Sequence, residues 1–122
     1  MATQQQTNEI NFETHDGVTV MGIQGDITAF SEMKLNEAYR SATERGAVCL
    51  LLKIAADAYI NSGGIAVLIQ ILAQTKRNRQ VVGITGLSDH FKKIFAMVGI
   101  TKFATIYPSL EEALEKMAAA AV

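Results

Sequence analysis

A single cysteine excludes an internal disulfide, and Cys49 lies within AVCLLLKI, where a small thiol reads as a core residue. Nothing in that usage points to an oxidising compartment. A surplus of charge is also missing. The 11 Lys and Arg nearly match the 12 Asp and Glu, leaving a formal net charge of −1 that recruits neither nucleic acid nor anionic lipid through a bulk field. No apolar run approaches the roughly 20 residues that span a bilayer. The polar start MATQQQTNE has no apolar signal core. We therefore expect a cytoplasmic protein without membrane insertion. Metal chemistry has little material: His15 and His90 stand alone near turns, without Cys or paired carboxylates at ligand spacing. What is present is globular. Apolar residues make up 49% and charged residues 19% of 122 residues, enough for one domain with its own core.

The apolar period changes repeatedly between two and 3.6. EINFETHDGVTVMGIQGDI reads as two strands joined at Asp16-Gly17. From Ser31, a plausible N-cap, Leu35, Ala38, Tyr39 and Ala42 share one helical face, with Gly46 as the stop. Ala47–Ile54 is nearly continuous apolar sequence and reads as a central strand buried on both faces. The next helix carries Ile65, Leu68, Ile69 and Leu72 on its main stripe and ends in KRNR. QVVGITGL is a further buried strand. A helix follows with Phe91, Ile94, Phe95 and Val98 on its stripe and Gly99 at its close. KFATIY is a short strand, and after Pro108-Ser109 a last helix sets Leu110, Ala113, Leu114 and Met117 on one side. The order ββαβαβαβα is that of an α/β domain with a mixed sheet and four helices. There is no internal repeat, linker or second domain.

In this layout Ser62, within YINSGGIAVL, sits at the carboxyl end of the central strand and the amino end of the next helix, where sites concentrate in open α/β sheets. The first N–H groups of a helix lack intrahelical partners, and its dipole adds positive potential there. Asn61 can cap the helix, while Gly63 and Gly64 leave backbone open to approach, so a phosphate on Ser62 meets donors. Ordinary capping explains the same Asn and Ser, and from this pattern alone both readings stand. NSGGIA lacks the Gly-x-x-x-x-Gly-Lys-Ser/Thr pattern of a nucleotide loop.

The run of elements from about Glu9 to Met117, with YINSGGIAVL in the middle and FAMVGITKFATIYPSLEEAL near the end, resembles the STAS domain of bacterial anti-sigma-factor antagonists. On that likeness residues 9–117 form the domain, 1–8 a disordered tail and 118–122 a second tail. In the family the helix begins Asp-Ser-Ser-Gly with the first serine as phosphoacceptor. The alignment puts Asn61 at the aspartate, Ser62 at the phosphoacceptor, Gly63 at the second serine and Gly64 at the glycine. The resemblance implies a partner switch with no cofactor and no catalysis of its own. The unphosphorylated form binds an anti-sigma factor that is also a serine kinase, phosphorylation releases it, and a serine phosphatase resets it. Aspartates common in the family are replaced here by Thr28, Lys53 and Asn61, a change of about four charges by side-chain inventory.

For the partner surface, Val67 and Ile71 form a second apolar pair on the helix after Ser62. Either that helix is sandwiched between neighbours, or the pair belongs to a docking face continuous with Thr28, Phe30, Asn61, Ser62, Gly63 and Gly64. Lys76, Arg77 and Arg79 suit the helix C-terminus, a thin case for direct nucleic-acid contact. The alternative roles for such a chain are a STAS subunit or scaffold in a larger sensor or transporter complex, and a binder of a small anionic ligand or nucleotide.

Overall fold

The alternation of the opening segment folds as a hairpin. The structure, a computed structural model, describes residues 8–120. In it β1 (Glu9–His15) and β2 (Val18–Gln24) pair antiparallel with His15 opposite Val18, leaving Asp16 and Gly17 as a two-residue loop. Both loop residues have positive φ, 50° and 83°, as a type I′ turn requires. The chain then continues through α1 (Glu32–Glu44), β3 (Cys49–Ile54), α2 (Ser62–Arg77), β4 (Val81–Thr85), α3 (Asp89–Met97), β5 (Thr105–Ile106) and α4 (Leu110–Ala120). Short 3-10 helices at Ala29–Ser31 and Ile100–Lys102 precede α1 and β5. The element order is the one that the apolar periods imply.

Sheet order follows chain order, β1-β2-β3-β4-β5, with β2 to β5 parallel. Each parallel connection advances one strand in the same direction. Right-handed crossovers therefore lay α1, α2 and α3 on one face, and α4, entering after the last strand, covers the other. Strand alternation divides the core accordingly. Met21, Ile23, Leu50, Leu52, Val82 and Ile84 pack under the three helices, while Val18, Val20, Cys49 and Leu51 pack with Ala113 and Met117 of α4.

Cys49 is fully buried, and burial pushes its thiol above the ordinary pKa. Alkylation of Cys49 in the native protein is expected to proceed only through unfolding. Its rate should rise with urea in step with the loss of helical circular dichroism; fast stoichiometric labelling in buffer would contradict the burial.

Several boundaries depart from the periodic pattern for local reasons. The strand read as Ala47–Ile54 begins at Cys49, because the β2 ladder starts at the Val18–Cys49 pair, and Val48 outside it is 60% exposed. α3 ends at Met97, so Val98 lies off the buried stripe. KFATIY yields only Thr105–Ile106 as strand, since the 3-10 turn through Lys102 takes its front. The cap expected at Ser31 moves upstream. Thr28 Oγ1 accepts from the Phe30 N–H at 3.1 Å and Ser31 Oγ accepts from the Thr28 N–H at 3.0 Å, a capping box around the 3-10 turn. At the ends, Asn8 is not tail: it is buried, with Nδ2 donating to the carbonyls of Gln24 and Asp26. Ala118–Ala120 belong to α4. The remainder of both expected tails, 1–7 and 121–122, lies outside the described residues.

Candidate functional site

The mouth of α2 is built by three short segments. Ile27 and Ile60 form a parallel bridge, with the Ile27 N–H donating to Tyr59 O at 2.9 Å and the Asn61 N–H to Ile27 O at 3.2 Å. These bonds fix the β2–α1 loop against the β3–α2 loop. Asn61 then leaves the chain in an extended conformation and caps α2, its Oδ1 accepting from the Gly64 N–H at 2.9 Å. The Ile65 N–H goes to Asn61 O. The N–H groups of Ser62 and Gly63 have no hydrogen-bond partner among the described residues, and the first turn contains no acidic residue. Ser62 itself is exposed. Its hydroxyl thus stands beside unspent donors at the positive end of a 16-residue helix.

The two glycines do not serve the open approach that their position suggests. A Cβ on Gly64 would sit 2.0 Å from Ile27 O, and one on Gly63 would sit 3.1 Å from both Cβ and N of Ala29. Both glycines therefore face the chain's own loop, letting α2 pack close, and Gly64 is buried. The expectation that Gly64 belongs to a partner surface is corrected by this contact.

Val67 and Ile71 also leave that surface, being only 4% exposed. The buried set of α2 is Gly64, Val67, Leu68, Ile71, Leu72 and Thr75, while Ile65 and Ile69, expected at the centre of the stripe, are only partly buried. The helix packs against α1, β4 and the 3-10 turn at once, so its apolar arc is wide and its buried centre follows the close approach at Gly64. Thr75 is accommodated because its hydroxyl donates to Leu72 O at 2.6 Å.

The other expected site residues divide. Thr28 is half-buried in its capping box, and Phe30, on the turn that touches Gly63, is 69% exposed. Tyr59 at 59% exposure adds to the apolar surface of the same two loops, and Met33, 75% exposed, stands in the first turn of α1, which follows the first of them. Neither residue carries a periodic signal in the sequence: Met33 lies off the stripe of α1, and Tyr59 sits in a loop. Lys53 belongs elsewhere. Opposite Gly22 and Thr85 in register, it lies on the α4 face, whereas Leu52 and Ile54 face α2. The charge change at Lys53 therefore does not act directly at Ser62.

His15 bonds Glu13 at 2.8 Å and His90 stacks edge-on against Phe91. The His15 contact, first of all, holds the Glu13 carboxyl below its usual range. Among the described residues no group of three His, Cys, Asp or Glu side chains could hold a metal, and no helix is long and apolar enough to cross a membrane.

The fold recurs in solved structures. An anti-sigma factor antagonist from Mycobacterium paratuberculosis is similar with a TM-score of 0.77 at 19% identity, over 96% of this chain and 98% of that one. A serine-to-glutamate variant of RsbS from Moorella thermoacetica gives 0.76 at 17% identity, over 92% and 97%. The Bacillus cell fate determinant SpoIIAA in its phosphorylated form gives 0.62 at 14%, over 88% and 98%. At such identities the likeness is one of fold. The family model described as the STAS domain matches residues 9–113, which takes in all five strands and the start of α4. The chain belongs to the STAS domain family.

Proposed function

We propose that this chain is an anti-sigma-factor antagonist, a non-enzymatic binding protein whose partner is released when Ser62 is phosphorylated. The observation that carries this reading is the exposed Ser62 hydroxyl at a helix mouth where the cap is already supplied by Asn61 and the N–H groups of Ser62 and Gly63 remain unspent. A phosphoserine brings about −1.5 to −2 charges near neutral pH and three acceptor oxygens. Free donors, the helix dipole and the absence of first-turn acids accommodate that anion without rearrangement of the fold. A partner seated on Phe30, Met33 and Tyr59 would press the same anion into an apolar contact, which costs several kcal/mol.

The partner is an anti-sigma factor with serine kinase activity, and a serine phosphatase reverses the modification. Similarity to anti-sigma factor antagonists, among them SpoIIAA, which is known in unphosphorylated and phosphorylated forms, supports an anti-sigma factor as the partner. Asn61 in place of an acid at the cap removes a like charge from beside the phosphate, which favours the modified state. Incubation with anti-sigma kinases and ATP, followed by intact mass measurement, is expected to add about 80 Da to the wild type (one phosphoryl group) and nothing to Ser62→Ala. An unmodified wild type, or equal gain in both proteins, contradicts the proposal.

A further inference from the structure

The sheet has two edges of different kinds. β5 offers two residues, whereas β1 offers seven in a regular ladder whose outer side has no partner strand among the described residues. An uncovered edge of that length is a template for another strand. The sequence of β1 restricts which strand fits. Its ladder with β2 places Ile10, Phe12 and Thr14 on the three-helix face, opposite Ile23, Met21 and Thr19, and Glu9, Asn11, Glu13 and His15 on the α4 face.

A second β1 laid antiparallel across a two-fold axis must pair residues of the same face, so the register is centred on a single residue. Centring on Asn11 sets Glu9 against Glu13 twice, and centring on Glu13 sets Glu13 against itself. Centring on Phe12 pairs all seven residues without setting like charges directly opposite each other. Glu9 then faces His15, Asn11 faces Glu13, Ile10 faces Thr14, and the two Phe12 rings meet at the axis. Directly opposed like charges destabilise a strand pair, and opposite charges and aromatic pairs stabilise it. The apolar side agrees with this register. Beside β1 the three-helix layer stops short, leaving a cavity of about 390 Å³ lined by Phe12, Thr14, Ala42, Arg45 and Ala47 among others. Ile10 of the second copy, opposite Thr14, comes to the wall of that cavity.

We infer that β1 is a self-association edge, through which two copies of this chain join antiparallel about Phe12 into one ten-stranded sheet (five strands from each copy). The α2 mouths lie away from this edge, on loops that follow β2 and β3, so each copy keeps its Ser62 surface. The inference does not depend on the phosphorylation reading.

Sedimentation equilibrium of the full chain over about 10 to 500 µM, the range for a small reversible interface, is expected to show a monomer–dimer equilibrium. His15→Glu, which creates two symmetric Glu–Glu contacts, should weaken it about tenfold or more, and adding Glu9→Lys should restore it. Under mild oxidation Phe12→Cys should form a disulfide dimer. Asn11→Cys and Glu13→Cys should each fail alone but cross-link when mixed, with buried Cys49 silent throughout. A monomer across the whole range overturns the inference. So does a dimer indifferent to His15→Glu, cross-linking of Asn11→Cys with itself, or concentration-independent protection of the β1 amides against hydrogen exchange, which would mean that another segment covers the edge.

Discussion

Ser62→Asp is expected to weaken binding to the anti-sigma factor by about 10- to 100-fold while leaving the fold intact or slightly more stable. The two halves of that outcome have one cause. Asparagine at position 61 already satisfies the Gly64 N–H, so a carboxylate at residue 62 is free to approach the donors that remain. A negative charge in the first turn gains about 0.3–1 kcal/mol from the helix dipole at an exposed site. For a chain of this length that raises the melting temperature by a few degrees at most (~2–4 °C per kcal/mol or somewhat more). The same charge, pressed between Phe30, Met33 and Tyr59 and an apolar partner face, loses water without gaining a counter-ion. Titration calorimetry gives the affinity and thermal melting gives the stability. A variant that binds as tightly as wild type, or one that melts far below it, is inconsistent with this division between partner and fold.

The second large effect is on stability. Gly64→Ala is expected to cost about 2–4 kcal/mol, as overpacking against rigid backbone does, and to lower the melting temperature by roughly 10 °C. The sign makes the test sharp. A glycine inside a helix ordinarily gives way to alanine with a gain near 1 kcal/mol. Here the added methyl would fall 2.0 Å from Ile27 O, a carbonyl pinned by its bond from the Asn61 N–H. Gly63→Ala meets Ala29 at 3.1 Å, a contact that a shift of a few tenths of an ångström relieves, and should change stability by less than about 1 kcal/mol. Urea denaturation of the two variants side by side measures the difference. A stabilised Gly64→Ala would show that the loop and helix do not meet as described.

These two residues also mark how far the sequence could be read. Element order, the Asp16-Gly17 turn, the Asn61 cap and the burial of both faces of β3 around Leu50 and Leu51 were legible, because each depends on local periodicity or on backbone chemistry within a few residues. The orientation of α2 was not. Ile65-Leu68-Ile69-Leu72 and Val67-Leu68-Ile71-Leu72 are both valid stripes at helical spacing. What selects the second is a long-range contact, the approach of Gly64 to Ile27 far back along the chain. A count of apolar side chains gives a buried glycine no weight, so the stripe was centred too far toward Ile65. Lys53 shows the complementary case. The resemblance groups it with Thr28 and Asn61 as a replaced aspartate, yet strand alternation sends it to the α4 face, as its register with Gly22 and Thr85 establishes. The surface apolar residues Met33 and Tyr59 escaped because an exposed apolar side chain breaks a pattern rather than making one.

The most direct measurement compares one preparation of the chain before and after stoichiometric phosphorylation of Ser62, titrated with the same anti-sigma factor and melted in the same buffer. The expected result is an affinity lower by about two to three orders of magnitude, each about 1.4 kcal/mol, at an unchanged or slightly raised melting temperature. Equal affinity of the two forms, or a loss of binding that accompanies melting of α2, would contradict the claim that the helix mouth accepts the phosphate and the partner does not.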